Sequence, residues 1–157
     1  METVINQGFT TTFEVDQSPE QVFNAINNVS KWWTENLTGA THALNDEFEV
    51  RFGDLHYSRH KIIELIPNQR VVWITTDANL TFLSDPAEWV GSRVIFDIAK
   101  HGDKTQVRFT HDGLEPQWEC YDACSVAWGQ YMRNSLLGLI ILGKGQPGFP
   151  PSEPVKG

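Results

Sequence analysis

The sequence predicts an α+β fold in which a curved antiparallel sheet of about six strands wraps round one long C-terminal helix, a helix-grip arrangement. Much of the chain alternates apolar and polar residues in short segments, which is the pattern of half-buried strands. These segments follow one another through short turns, and such runs favour antiparallel pairing. Residues 118–142 form the only helical pattern long enough to cover the apolar face of that sheet.

The N-terminal part of the chain predicts one strand and two short helical segments. Residues 9–15 alternate in polarity and are predicted as the first strand. Ser18 is the expected N-cap of a helix, with Pro19 at its first position. Residues 29–33 are predicted as a second, shorter helical turn.

The middle of the chain predicts a run of five strands. Pro67 and Asn68 separate two of them in a predicted hairpin. Residues 77–91 have no regular pattern and are predicted as a loop, in which Trp89 is expected to be exposed. The predicted strands are residues 47–52, 56–66, 70–76, 92–99 and 105–111.

The predicted C-terminal helix has an apolar stripe of mixed chemistry. Tyr121, Cys124, Trp128 and Tyr131 recur at helical spacing within residues 118–142. A helix that only seals a core would carry mostly Leu, Ile and Val on that face. Aromatic, thiol and hydroxyl groups facing a sheet suit the roof of a cavity, so the stripe predicts a binding pocket.

Composition excludes several classes of partner. The 157 residues carry a formal net charge of −8, and no cluster of Lys or Arg interrupts the acidic balance. Such a chain repels phosphate backbones and anionic lipid surfaces, so neither nucleic acid nor a membrane is an expected partner. The six tryptophans and nine phenylalanines instead favour a pocket or an interface.

The length of the chain and its ends predict one cytoplasmic domain. Residues 1–145 are expected to form a single domain, and residues 146–157 a flexible or extended tail rich in Pro and Gly. Residues 1–6 lack the basic start and apolar run of a signal peptide. The longest apolar stretch, residues 136–142, is too short to cross a bilayer.

The cysteines and histidines predict neither a disulfide nor a metal site. Cys120 and Cys124 lie four apart on the predicted helix, where parallel side-chain directions suit a disulfide badly, so reduced thiols are expected. His111 would give these thiols a third metal ligand, but a fourth is lacking. His56 and His60 share a strand face without a third ligand. No metal and no cofactor are predicted.

Motifs of hydrolase and nucleotide chemistry are absent from the sequence. The chain contains no G-x-S-x-G and no H-E-x-x-H sequence. Gly143-Lys144-Gly145 follows a helix instead of opening one, which does not fit a phosphate loop. No catalytic residue is assigned.

Several short motifs stand out by their order and spacing along the chain. They are residues 18–23 after the first strand, Lys31-Trp32-Trp33, Glu64-Leu65-Ile66-Pro67, residues 109–114, Trp128-Gly129 and Ser135-Leu136. In this order they resemble the START-like or SRPBCC helix-grip superfamily. Within it, the chain is similar to the branch related to the C-terminal domain of the heat-shock-protein-90 ATPase activator. The resemblance covers nearly all of the chain up to Gly145.

The resemblance implies a deep cavity between the sheet and the C-terminal helix. Different members of the superfamily use this cavity for lipids, polyketides, hormones or aromatic compounds. Some relatives are cyclases or ring-modifying enzymes, and others are carriers. The name of the branch implies co-chaperone work.

The predicted cavity would be lined by the helix stripe and by inward-facing sheet positions. His111 ends a strand beside the long helix, where it would bind a ligand, act as an acid or base, or only hydrogen-bond the backbone at the turn. Of the neighbours Trp32 and Trp33, one is expected in the core and the other at the cavity mouth. The predicted lining is Trp33, Trp73, Phe96, Phe109, His111, Tyr121, Cys124, Trp128 and Tyr131.

Three functions remain open from the sequence. The favoured one is binding of an unidentified small apolar, aromatic or lipid-like molecule. The second is cyclase or isomerase chemistry that uses His111 with Tyr121 or Tyr131. The third is a co-chaperone-like regulator of a heat-shock ATPase, acting through an outer surface near Trp89 or the acidic strand edge at residues 47–49.

Overall fold

The computed structural model describes residues 8–114 and 118–148. Residues 1–7, on which the prediction of no signal peptide rests, lie outside the described part. So do residues 149–157, which make up most of the predicted tail.

One antiparallel sheet of seven strands organises the structure. The strands are β1 (Gly8–Val15), β2 (Leu37–Gly39), β3 (Glu47–Phe52), β4 (His56–Ile66), β5 (Arg70–Leu80), β6 (Arg93–His101) and β7 (Lys104–Asp112). They lie in the order β1-β7-β6-β5-β4-β3-β2. The predicted α+β fold with a curved antiparallel sheet and a long C-terminal helix is confirmed. The strand beyond the expected number is β2, whose three residues are too few to show an alternating pattern.

Strand β5 is longer than predicted, and its extension builds the end of the sheet that carries the pocket. Ala78 and Leu80 are buried, whereas Asp77 and Asn79, the residues directly before each of them, are exposed. Leu80 lies opposite His56, the first residue of β4. The extension therefore continues the alternation of buried and exposed residues along β5. The polar residues Asp77 and Asn79 hide this alternation in the sequence.

The first helix, α1 (Pro19–Asn27), begins as predicted with Ser18 as its N-cap. Ser18 Oγ accepts a hydrogen bond from the backbone N–H of Gln21, and the Gln21 side chain accepts one from the backbone N–H of Ser18. This reciprocal pair satisfies two donors that the helix start would otherwise leave free. A 3₁₀ turn (Val29–Lys31) follows where the second helical turn is predicted.

The C-terminal helix has three consecutive parts. They are α2 (Tyr121–Gln130), a π-helical segment (Tyr131–Leu136) and α3 (Leu137–Leu142). The helix begins later than predicted, and the carboxylate of Glu88 accepts hydrogen bonds from two backbone N–H groups just before its first turn. It ends at Gly143, which adopts a left-handed conformation with φ 75°. In the described residues, no helix is long and apolar enough to span a bilayer.

The two cysteines lie at the start of this helix, and their arrangement differs from the prediction. The structure pairs the sulfurs of Cys120 and Cys124 as a disulfide, so the expectation of two separate reduced thiols is wrong here. Their Cα atoms are 5.4 Å apart, a separation that a disulfide can bridge. Residues four apart on a helix lie one above the other, which brings these two side chains together.

The first residues of the predicted tail pack against the rest of the structure. The backbone N–H of Gly148 donates to the carbonyl of Trp33 over 2.9 Å. The hydroxyl of Tyr131 donates to the carbonyl of Gly148. The N–H of Gln146 donates to Ser135 Oγ over 2.7 Å. Residues 146–148 are thus held beside the C-terminal helix.

Candidate functional site

A pocket of about 170 Å³ lies under α2 at one end of the sheet. On the sheet side it is lined by Trp33, Phe52, Leu55 and His56, and in the loop after β5 by Phe82 and Trp89. On the helix side it is lined by Ala123, Cys124, Ala127, Trp128 and Tyr131. The pocket therefore lies where the sequence predicts a cavity, between the sheet and the C-terminal helix.

Two small side chains on α2 leave the space that forms the pocket. Ala123 and Ala127 are four residues apart, so they lie one above the other on the same face of the helix. Trp128 and Tyr131 flank them with large aromatic side chains. Larger residues at the two alanine positions would fill the pocket.

Three stacked indole rings form one wall of the pocket. The ring of Trp33 stacks on that of Trp128 with centroids 5.1 Å apart, and Trp128 stacks on Trp89 at 5.9 Å. Trp33 also stacks on Trp73, which lies behind it at 5.7 Å. Large rigid rings in contact with one another give a preformed apolar surface.

Trp89 does not lie where the sequence predicts it. Its side chain is only 3% exposed, so the expectation of an exposed loop tryptophan is wrong. The loop folds back onto the sheet, because the N–H of Gly91 donates to the carbonyl of Thr75 and the N–H of Leu80 donates to that of Pro86. Trp89 Nε1–H is buried and has no hydrogen-bond partner in the described part of the chain.

His111 is a fully bonded structural residue behind this wall. Trp128 Nε1–H donates to His111 Nδ1 over 3.0 Å. His111 Nε2 lies 2.8 Å from Ser92 Oγ, and the Ser92 hydroxyl donates to the carbonyl of Trp89. Because that hydroxyl has a single hydrogen, His111 Nε2–H is the donor to Ser92 and the ring is neutral. Both ring nitrogens are therefore in use.

A second hydrogen-bonded chain runs along β4 to the pocket. His56 Nε2 lies 2.8 Å from Ser58 Oγ, which lies 2.7 Å from His60 Nε2. The other nitrogen of His60 is 3.2 Å from Thr75 Oγ1. Alternate strand residues share a face, so His56, Ser58 and His60 form one inward row. Only His56, at the end of the row, reaches the pocket.

Burial keeps these histidines uncharged. It lowers the pKa of His56 and of His111 to about 3, with the nearby His111 contributing further to the change at His56. Burial likewise lowers the pKa of His60 well below its usual value. Among the described residues, no Lys, Arg, Asp or Glu lines the pocket. At neutral pH the described lining of the pocket therefore carries no charge.

The structure brings some of the predicted lining residues together and places the others elsewhere. Trp33, Cys124, Trp128 and Tyr131 line the pocket. The remaining members are not among its lining residues: Trp73, Phe96, Phe109 and His111 are buried behind it, and Tyr121 is a partly buried residue of α2.

Trp32 and Trp33 both lie in the core, although the sequence predicts only one of them there. They are 0% and 2% exposed, and their rings stack with centroids 6.2 Å apart. The 3₁₀ turn ends at Lys31, so the two tryptophans lie after it. Their side chains therefore need not point in different directions. Trp33 is also the one that reaches the pocket.

Sequence reasoning missed several residues of the pocket. The sequence analysis treats His56 only as a metal-ligand candidate, although the spacing His56-x-Ser58-x-His60 is a signal for an inward polar row on a strand. Trp89 is predicted on the outside of the structure. The alternation of residues 47–52 places Phe52 on the inward face of its strand but does not place it at the pocket. Local patterns give no signal for the other members, which are Leu55, Phe82, Ala123 and Ala127.

The acidic strand edge considered as an interaction surface is largely neutralised. Arg59 bonds both Glu47, at 3.1 Å, and Glu49, at 2.7 Å. In the described ranges, no three His, Cys, Asp or Glu side chains are grouped so as to hold a metal ion.

Comparison with known proteins identifies relatives in both sequence and structure. A family model described as activator of Hsp90 ATPase homolog 1-like protein matches residues 16–139. No curated protein matches the chain. The chain is similar to the solution structure of the Aha1 dimer from Colwellia psychrerythraea, with 25% identity, a TM-score of 0.72 and coverage of 88% of this chain and 98% of that one.

Two further solved structures share the fold. Protein MLL2253 from Mesorhizobium loti is 19% identical, with a TM-score of 0.66 and coverage of 85% of this chain and 97% of that chain. CalU16 from Micromonospora echinospora is 17% identical, with a TM-score of 0.61 and coverage of 84% of this chain and 74% of that chain. These likenesses concern the fold alone.

Proposed function

The chain belongs to the family of activator of Hsp90 ATPase homolog 1-like proteins, and from that premise we propose that it binds a small uncharged apolar molecule in the pocket under α2. The observation that carries the proposal is a preformed space walled by three stacked indole rings. Apolar walls with few polar groups are typical of small-molecule sites.

The size of the pocket limits the ligand. An apolar cavity of about 150 Å³ in another protein holds a benzene molecule. The space of about 170 Å³ under α2 therefore suits one aromatic ring or an aliphatic group of similar size. A long lipid or a fused-ring polyketide would need the pocket to open or would extend past Leu55 and Phe82, which are partly exposed.

The geometry favours binding over the cyclase alternative considered from sequence. That alternative requires His111 and a tyrosine to meet at a substrate. His111 has both nitrogens bonded and is absent from the pocket lining. The Tyr131 hydroxyl donates to Gly148, and Tyr121 lies outside the lining.

The surface of this chain gives less support to a co-chaperone role than the pocket gives to ligand binding. The family description refers to activation of an ATPase. The two surface features that suggested such a contact are Trp89, which is buried, and the pair Glu47 and Glu49, which bonds Arg59.

The proposal is tested by titrating the protein with toluene and following tryptophan fluorescence. Ala127→Leu fills the pocket, and we expect it to weaken toluene binding by at least about tenfold, because the added methyl groups occupy the ligand's space. Val126→Leu is the matched control, since Val126 is 60% exposed on the neighbouring position of the same helix. Binding that is absent, or that survives Ala127→Leu unchanged, would contradict the proposal.

A further inference from the structure

The disulfide between Cys120 and Cys124 adjoins the pocket. Cys124 lines the pocket from the helix side, and its partner Cys120 is 1% exposed. The pair spans the first turn of α2, the helix that forms the roof of the pocket. Breaking this covalent bond therefore affects the roof at the point where the helix begins.

The first turn of α2 is capped by another part of the chain. In the described residues, Cys120 occupies the N-cap position without a capping hydrogen bond from its own side chain. The carboxylate of Glu88 accepts from the N–H groups of Glu119 and Cys120 instead, both at 3.2 Å, which is the long end of the usual range. Helix ends fray readily, and a disulfide across the first turn restrains that fraying.

The same contacts hold the loop after β5, which supplies two walls of the pocket. Glu88 belongs to this loop, and Glu119 at the helix start accepts a hydrogen bond from a backbone N–H of the loop over 2.8 Å. Phe82 and Trp89 of the loop line the pocket. The loop and the helix start are thus bonded in both directions, so a frayed first turn also releases the loop.

We infer that Cys120 and Cys124 form a redox modification site that controls the pocket: the disulfide favours ligand binding, and its reduction to two thiols weakens that binding. This inference rests on the proposed function and adds a means of regulating it. Because binding and reduction are linked, a ligand in the pocket must in turn make the disulfide harder to reduce.

The reductant that this step requires is a small dithiol. One of its thiolates attacks a sulfur of the pair and forms a mixed disulfide, while the other cysteine leaves as a thiolate and takes up a proton. The second thiol of the reductant then displaces the remaining cysteine and closes into a cyclic disulfide. Two hydrogen atoms pass in total from the reductant to the protein. The reverse exchange with a small-molecule disulfide restores the bond.

The pocket gives the reductant a route to the pair. Leu55 and Phe82 line the pocket and are 46% and 41% exposed, so the pocket reaches the surface. Cys124 borders this space, whereas Cys120 is buried. A ligand bound in the pocket occupies the route by which the reductant arrives.

The test compares toluene binding by the wild type in its oxidised form and after reduction with dithiothreitol. Thiol titration verifies the state of each sample, and reduction should weaken binding by about fivefold or more. Cys120→Ala cannot form the disulfide but keeps the lining residue Cys124, so it should bind like the reduced wild type with or without dithiothreitol. Ser125→Ala changes the same helix without removing a sulfur and should respond to the reductant as the wild type does.

The rate of reduction is a second measurement, and it needs no cysteine variant. Toluene at about ten times its dissociation constant should slow the release of thiols by about fivefold or more, because mainly the ligand-free protein reacts. Ala127→Leu, whose pocket is filled, should release its thiols at one rate with and without toluene. An equal rate for the wild type with and without bound toluene overturns the inference.

The outcomes separate this inference from the proposed function. If toluene binds the oxidised and the reduced wild type equally, redox control is overturned and the apolar pocket stands. The same holds if two free thiols remain after treatment with oxidised glutathione, or if circular dichroism shows that reduction unfolds the whole protein. If toluene binds neither form, both proposals fail.

Discussion

Trp128 donates its indole N–H to Nδ1 of His111 over 3.0 Å, and this bond joins the pocket wall to the sheet. Trp128 is 2% exposed and His111 is 0% exposed. The histidine passes the connection on to Ser92, which bonds the backbone of Trp89. Two of the three stacked indole rings are thus positioned by one neutral histidine.

Trp128→Phe should destabilise the protein by about 1–3 kcal/mol beyond the loss of packing, because it leaves a buried acceptor on His111 without a donor. The free energy of unfolding in urea measures the effect. Trp118→Phe is the control, since it removes the same atoms from a partly buried tryptophan in ring contact with His111. In the described part of the chain, the indole N–H of Trp118 makes no hydrogen bond. Equal losses of unfolding free energy in Trp128→Phe and Trp118→Phe would show that the hydrogen bond from Trp128 to His111 does not stabilise the protein.

Ser58→Ala should cost about 1–3 kcal/mol of stability, because it removes the only hydroxyl between two buried histidines. Ser58 is 0% exposed. Ser125→Ala, on the partly exposed side of α2, should change the free energy of unfolding by less than about 0.5 kcal/mol. A Ser58→Ala variant as stable as the Ser125→Ala control would mean that the row on β4 contributes nothing.

The three buried histidines should make the protein lose stability as pH falls below about 6.5. Their pKa values are lowered in the folded state, to about 3 for His56 and His111, so the unfolded chain binds more protons between these limits. Stability is therefore complete above the unfolded pKa of about 6.5, and each histidine removes up to about 1.4 kcal/mol per pH unit below it.

Urea denaturation between pH 7 and pH 5 measures that slope. His111→Gln should reduce the slope of unfolding free energy against pH by about 1.4 kcal/mol per pH unit, the contribution of one proton. His42→Gln, at an exposed position, serves as the control. A wild-type slope near zero in this range would contradict the assignment of three neutral buried histidines.

Gly145→Ala should destabilise the protein by about 1–3 kcal/mol, because the chain after α3 passes close to the 3₁₀ turn. A Cβ atom at Gly145 would lie 2.2 Å from the carbonyl oxygen of Lys31. Gly129 in α2 is the matched control, since nothing lies within 4 Å of its Cβ position. Gly129→Ala should instead stabilise the helix by about 0.5–1 kcal/mol, so thermal denaturation should move in opposite directions for the two variants.

The sequence was sufficient for the elements whose polarity alternates over many residues. The bounds predicted for β3 and β4 are those observed, because burial alternates along β3 and through residues 56–63 of β4, and Pro67 ends β4. The N-cap at Ser18 followed from its own side-chain chemistry. Strand β2 could not be found, because three residues carry no period.

The pocket could be predicted as a place but not as a set of residues. The stripe of the C-terminal helix identifies Cys124, Trp128 and Tyr131, since helical spacing shows which residues share a face. Trp89 depends on a loop that returns to the sheet through backbone hydrogen bonds, and no local pattern records that return. Placing His56 in the pocket requires knowing that β4 begins there.

The central claim, that a ring-sized apolar ligand binds under α2, is tested most directly by crystals soaked in bromobenzene. Bromine scatters anomalously, so its position can be located without assumptions about the ligand's contacts. We expect one strong anomalous peak inside the pocket, beside the stacked rings of Trp33, Trp89 and Trp128. An empty pocket at saturating bromobenzene, or a peak only on the outer surface, would contradict the claim.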